Sequence, residues 1–177
     1  SRIEMFIYLK SSSSVKLIQI ATDCVYSGSK GNYKEDASHD ALDVYGKTKS
    51  LGEVISPNLL HIRCSIIGPE LKTTYSLLEW FLHQKDDSEI QGFTHHKWNG
   101  VTTLQFARLC RCVIEGNKFE ELIKKSSIHH FVPNDSVTKY ELLKLFQKEF
   151  NKRVTIIPVD NIGIPVDCTL STKFSLL

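Results

Sequence analysis

The sequence predicts an α/β fold with a largely parallel sheet. Three observations carry that reading. Short apolar runs alternate with amphipathic stretches along almost the whole chain. The first clear run, "VKLIQIA" at 15–21, is apolar enough to be buried on both faces, as parallel strands are. Hydrophobic residues make up 41% of 177, enough for a packed core and against disorder.

Taken in order, residues 2–10 read as the end of an amphipathic helix, with Ile3, Phe6, Ile7 and Leu9 on one side. Ser11 to Ser14 form a loop before the 15–21 strand. Residues 42–56 read as a helix whose apolar stripe is Val44, Thr48, Leu51 and Ile55, ended by Pro57. "NLLHIRC", 58–64, is the next strand. A helix is expected at 73–84 and a short strand at 89–93. "VTTLQFARLCRCVIEG", 101–116, reads as a helix with Gly116 as its C-cap. A strand is expected at 128–132. Thr138 and Glu141 have capping-box spacing for a helix ending near Asn151, and 153–159 is the last strand.

Composition excludes some functions. The net charge of +2, from 22 basic and 20 acidic residues, argues for no nucleic-acid partner and no membrane-attracted face. No apolar run approaches the ~20 residues that span a bilayer, and no signal-peptide pattern opens the sequence. Five cysteines without a CxxC pair read as reduced cytoplasmic thiols, and no metal set is completed.

The chemistry sits between Ala21 and Glu53. Tyr45 and Lys49 are spaced i and i+4, so both project from one helix face. An ammonium near a phenol favours the phenolate and lowers its pKa from an unperturbed value of ~10, which suits proton transfer near neutrality. Thr22 closes a parallel strand at its carboxyl end, where α/β folds place ligands. Gly46 and Gly52 allow a backbone or ligand to approach the helix. The Tyr-x-x-x-Lys pair alone is common on solvated faces, so the weight falls on the text around it.

That text is "ATDCVYSG", "NYKED" and "YGKTKSLGE", in this order and spacing. It resembles the extended short-chain dehydrogenase/reductases, and among them the dTDP-4-dehydrorhamnose reductase-like group. That group carries a strand ending in Ser-Thr-Asp, an aromatic-rich "VF-x-G" loop, a Tyr-x-Glu segment and "YG-x-[ST]-K-x-x-GE". "IRCSIIGPEL" at 62–71, "WNGVTTLQFARL" at 98–109 and "HHFVPNDSVTKYELLKLF" at 129–146 are similar to later segments of the same group.

The resemblance implies a partial Rossmann-like parallel sheet with a small C-terminal substrate-binding lobe. Residues 1–65 would be the end of the NAD(P)-binding domain, and 66–177 mainly the lobe with returning Rossmann elements. It implies reduction of a 4-keto-6-deoxy nucleotide sugar by NADPH or NADH, feeding deoxysugar synthesis for polysaccharide. Tyr45 would protonate the carbonyl oxygen as hydride arrives. Lys49 would lower the Tyr45 pKa and, with Tyr45, bond the nicotinamide ribose, while Thr22 would hold the carbonyl. Ile66 and Gly68 would border the nicotinamide. Asp23, Val25, Tyr26, Trp98, Asn99 and Thr103 would line the substrate pocket. The expected partner is a nucleotide sugar, the expected location cytoplasmic, and a homodimer is left open.

The group's Gly-x-x-Gly-x-x-Gly loop is not in this sequence. The expectation is a truncated piece of a reductase, lacking about a hundred residues, with an exposed strand edge and poor dinucleotide binding. "SGSKG" at 27–31 is the alternative phosphate cradle. A non-catalytic regulatory protein is the competing class, as the regulatory subunit of methionine adenosyltransferase resembles the same family. An epimerase or dehydratase is a third reading, but Asp23-Cys24 does not supply the dehydratases' Asp-Glu pair.

Other residues read as framework. His95, His96, His129 and His130 are expected at the surface or on pocket walls rather than on a metal. Trp80 and Phe81 read as core, Asp86, Asp87 and Glu89 as a solvated turn, and Lys47 as solvent-exposed. Cys24 reads as a small buried apolar residue, and Asp23 either as orienting a neighbouring hydroxyl or as capping.

Overall fold

The computed structural model describes residues 14–160 and 163–174, so the amphipathic stretch at 2–10 lies outside the described residues. In chain order the elements begin with β1 (Leu17–Thr22), a 3-10 turn (Asp23–Val25), α1 (Val44–Leu51), β2 (Leu59–Cys64) and β3 (Ile66–Ile67). Next come α2 (Leu77–Leu82), β4 (Ser88–Phe93), β5 (His96–Trp98), β6 (Val101–Thr102), α3 (Thr103–Glu115) and α4 (Phe119–Lys125). The remainder is β7 (Ile128–His130), β8 (Val137–Thr138), α5 (Lys139–Glu149), β9 (Val154–Val159) and β10 (Val166–Asp167).

The strands β1, β2 and β7 form one parallel sheet in that order. β2 is central, and all six of its residues are buried. Its faces differ. Leu60, Ile62 and Cys64 join Phe106, Leu109, Val113, Phe119 and Leu122 in an apolar core under α3 and α4. Arg63, on the alternate face, meets polar groups from the α1 side. A second core lies around β4 and β9. There β4 and β9 pair in parallel, and Phe81, Ile90, Leu143, Val154 and Ile156 pack between them, α2 and α5. Both parallel pairings agree with the alternation read from the sequence.

Several expectations are corrected. Only Ala21 of β1 is buried, and Ile20 is 57% exposed. Its faces are therefore not both buried, whereas the expected exposed edge is present: among the described residues β1 pairs with β2 alone. Helix α1 stops at Leu51, with Gly52 as its C-cap, well before Pro57. Its expected core stripe points outward: Val44, Leu51 and Ile55 are all exposed, Leu51 by 83%. The reason is tertiary. Glu53, just past the helix, is drawn into a buried pair with Arg63, and a continued helix would carry it elsewhere. Helix α4 carried too short a periodic signal to be read; Phe119 and Leu122 anchor it, and Glu121 pairs with Lys118 and Lys125.

The capping signals hold. Thr138 and Glu141 form both halves of a capping box at α5, and Gly116 caps α3 as expected. Thr102 and Gln105 form a second box that the sequence reading did not single out.

Candidate active site

The local geometry of the Thr22 turn follows from its sequence. Thr22 is in extended conformation and caps the 3-10 turn, its Oγ1 accepting from Cys24 N at 3.1 Å. The same hydroxyl donates to Asp23 Oδ1 at 3.2 Å. So Asp23 holds the neighbouring hydroxyl, and the capping role falls to Thr22 rather than to Asp23. Asp23 is only 6% exposed. The Ser65 hydroxyl, one residue past β2, lies on the Asp23 carboxyl side and helps to lower its pKa, and Trp98 donates Nε1–H to Ser65 Oγ at 2.7 Å. Polar groups therefore line up from Trp98 and Ser65 to Asp23 and Thr22. Burial pushes the Asp23 carboxyl above its ordinary pKa, opposed in part by the Thr22 and Ser65 hydrogen bonds.

Helix α1 is seated against this turn. A Cβ at Gly46 would stand 2.3 Å from the Cys24 carbonyl oxygen, so only glycine lets the helix approach so closely. Asp43 caps α1 by accepting from Gly46 N at 2.8 Å. Tyr45 flanks that contact and is 55% exposed. Lys49 Nζ lies 5.2 Å from the centroid of the Tyr45 ring, which brings the ammonium and the phenol together as the spacing predicted. Lys47 is exposed, also as expected.

The remaining expected residues fall into two groups. Ile66 pairs with Val101 in the β3–β6 ladder, Gly68 packs against Thr103, and Trp98 lies over Gly100, so these border one region next to Ser65. Val25, Tyr26 and Asn99 are built into the framework instead. Val25 is wholly buried with Tyr33 and Leu170. Tyr26 donates to the Lys34 carbonyl and accepts from Arg63. The Asn99 amide holds the Leu170 backbone from both sides, at 2.7 and 3.0 Å.

Sequence reasoning missed the hub beside the site. Arg63 is 1% exposed and fully engaged. Its Nε and one terminal nitrogen pair with both Glu53 oxygens at 2.8 and 2.5 Å. It also donates to Tyr26 Oη, the Glu35 carbonyl, His39 Nε2 and His130 Nε2. His129 and His130 are buried, not at the surface. His130 Nδ1 donates to the Ser171 carbonyl and His39 Nδ1 meets Ser50 Oγ, so both rings are neutral acceptors toward Arg63. Burial, followed by the Arg63 charge for His39, holds both imidazoles below their usual pKa. The signal available in the sequence was an Arg in the middle of an apolar strand.

Three further expectations change. Cys24 is exposed, although its Sγ turns toward Asp23 Oδ1 at 3.7 Å. Phe81 is core, but Trp80 is partly exposed and lines a cavity of about 710 Å³ with Tyr75, Gln91, Phe93 and Lys139. A neighbouring cavity of about 350 Å³ is bordered by Ser65, Ile66, His96, Trp98 and, again, Lys139. Lys139 Nζ sits 5.6 Å from the Phe93 ring centroid, and burial lowers its pKa. Finally, "SGSKG" does not form a cradle. Gly28 and Gly31 have positive φ, but they pack on Val166, Cys168 and Asp167, and the Ser27 N–H and hydroxyl bind the Asp40 carboxylate. Among the described residues no group of three His, Cys, Asp or Glu could hold a metal ion, and no helix is long and apolar enough to cross a membrane.

Comparison with known proteins agrees with this layout. A dTDP-4-dehydrorhamnose reductase from Sulfolobus tokodaii, described as hypothetical, superposes with a TM-score of 0.75 at 21% identity, covering 99% of this chain and 66% of that one. The NADP complex of the Bacillus anthracis dTDP-4-dehydrorhamnose reductase gives a TM-score of 0.68 at 17% identity, covering 88% and 57%. Methionine adenosyltransferase 2 subunit beta from Bos taurus is 26% identical over 142 residues, 76% of this chain but 42% of that protein. The chain thus spans only about half the length of that relative and under two thirds of these two structures. The family model for the RmlD substrate binding domain matches residues 9–171, and the chain belongs to that family.

Proposed function

We propose that the chain is the substrate-binding and proton-donating part of an NAD(P)H-dependent reductase acting on a 4-keto-6-deoxy nucleotide sugar. The observation that supports this best is the Thr22–Asp23 turn, with its buried carboxyl, set against the first turn of the helix that carries Tyr45 and Lys49. Thr22 and Tyr45 hold the substrate carbonyl. Tyr45 delivers the proton to its oxygen, and the Lys49 ammonium, close to the ring, stabilises the phenolate left behind. A nicotinamide cofactor bound here supplies the hydride.

The residues present fit the nicotinamide-ribose end of such a cofactor, through Tyr45, Lys49 and the Ile66–Gly68 loop. They do not fit the pyrophosphate, because the positive-φ glycines at 28 and 31 are engaged by the Val166–Cys168 segment. The two cavities that meet at Lys139 suit the nucleotide. Trp80, Tyr75 and Phe93 offer aromatic faces for a base, and the Lys139 ammonium faces its phosphates.

The test is turnover with NADPH and dTDP-4-dehydrorhamnose in a protein that joins this chain to a dinucleotide-binding half carrying the Gly-x-x-Gly-x-x-Gly loop, with Tyr45→Phe as the variant. Loss of a positioned proton donor costs about 10²–10⁴-fold in kcat, while binding of the nucleotide sugar changes little. Near-wild-type turnover in that variant removes Tyr45 from the mechanism. A second reading, a non-catalytic binding protein, is favoured by the similarity to methionine adenosyltransferase 2 subunit beta. It is distinguished by nucleotide-sugar binding without any turnover even when the dinucleotide-binding half is present.

A further inference from the structure

The Thr22 hydroxyl has a single proton, and in this structure that proton is directed at Asp23. Its oxygen meanwhile accepts from Cys24 N. A group that holds a substrate carbonyl must donate to it. The arrangement as it stands gives Thr22 no proton to offer.

We propose that Asp23 is the positioning residue for Thr22, its buried carboxyl group determining whether the hydroxyl donates inward or toward a bound carbonyl. This rests on the reading that Thr22 holds the substrate carbonyl. An ionised carboxylate can only accept hydrogen bonds, so it keeps the Thr22 proton. A protonated Asp23 donates to Thr22 instead, and the Thr22 proton turns outward. No bond between heavy atoms changes; one proton binds Asp23 from solvent and one O–H rotates.

The surroundings favour the protonated form. Asp23 is almost fully buried, and among the described residues no Lys, Arg or His pairs with it. What faces it are the hydroxyls of Thr22 and Ser65, the Cys24 thiol on its own turn, Cys64 on β2 and Cys168 in the C-terminal segment. Asp40, Asp43 and Asp167 lie around these thiols and add only negative charge. Next to Asp23, the Ser65 hydroxyl accepts from Trp98.

Two measurements on the protein decide it. Carbon-detected NMR titration of the Asp23 carboxyl, in wild type and in Thr22→Val, tests the contact without ligand. Removing the hydroxyl takes away a bond that stabilises the carboxylate, so the Asp23 midpoint moves up, and Thr22→Ser restores it. An unchanged midpoint in Thr22→Val overturns the proposal. Calorimetric titration with dTDP-4-dehydrorhamnose and with dTDP, across the pH range of that midpoint, tests the positioning. The keto sugar binds roughly three- to tenfold more tightly on the acid side, the worth of one hydrogen bond. That preference is lost in Asp23→Asn and absent for dTDP, which has no ketone. A purely structural Asp23 gives the same pH profile for both ligands and overturns the proposal. Binding of dTDP without any added affinity for the keto sugar overturns the carbonyl-holding reading of Thr22 instead, while the ligand-free titration still judges the contact.

Discussion

Two ionisable side chains are buried close to the ends of adjacent parallel strands, and they are treated in opposite ways. Arg63, on β2, is surrounded by groups that satisfy it: a bidentate carboxylate, a phenol, a backbone carbonyl and two neutral imidazoles. Asp23, just past β1, has hydroxyls and a thiol but, among the described residues, no cation. A fully satisfied buried ion belongs to architecture, since removing either partner strands the other. A buried carboxylate without a counter-charge is a cost to folding, and such groups cluster where proton chemistry or ligand binding is done. The difference separates scaffold from candidate site within a few residues.

The contrast can be broken most directly at the hub. Arg63→Met leaves Glu53 buried without its cation, and urea denaturation should show a loss of about 3–5 kcal/mol. A loss near zero would mean that the Glu53 pair is no better compensated than Asp23. Gly46→Ala comes next. Its Cβ would meet the Cys24 carbonyl at 2.3 Å, so either α1 or the Thr22 turn must shift, at about 1–3 kcal/mol. The same variant should lower turnover in the proposed reaction more than it lowers stability, because it moves Tyr45 away from Thr22.

Asp23→Asn sharpens the comparison through its sign. The folded-state pKa of Asp23 is raised, so its favourable contribution is complete below the ordinary value of 3.8 and is lost as pH rises through the folded value. The asparagine variant should therefore gain on wild type as pH rises. Urea midpoints at pH 4.5 and 7.5 check this, and a constant difference between the two proteins would show Asp23 to be compensated after all. The smallest effect is expected on the outer face of α1. Leu51→Gln should change stability by less than about 0.5 kcal/mol, because the side chain is already in water. A loss near 2 kcal/mol in thermal denaturation would show that this face is covered in solution.

Legibility followed the range of the physical signal. The strand–helix alternation, the Thr138 capping box and the Gly116 cap are local patterns of a few residues, and all were readable. Tyr45 beside Lys49 was readable for the same reason, because helix geometry alone sets the i,i+4 neighbour. The inward face of α1 was not. Val44, Leu51 and Ile55 have the period of a core stripe, yet Glu53 and Gly46 decide how the helix sits, through partners far along the chain.

The amino-acid sequence by itself determined the order of elements, their caps, and the pairing of an ammonium with a phenol on one helix. Only the tertiary structure decided which polar residues became core. Arg63 gathers Glu53, Tyr26, His39 and His130 from four separate segments, and a strand arginine has no local feature that names its partners. Asn99 and Tyr26 looked like pocket residues, and became clasps because the C-terminal segment returns beside one and Arg63 beside the other. Asp23 was legible as a strand-end carboxylate, but its isolation from any cation among the described residues was not. Desolvation depends on everything packed around a group, and that sum exists only once the chain has folded.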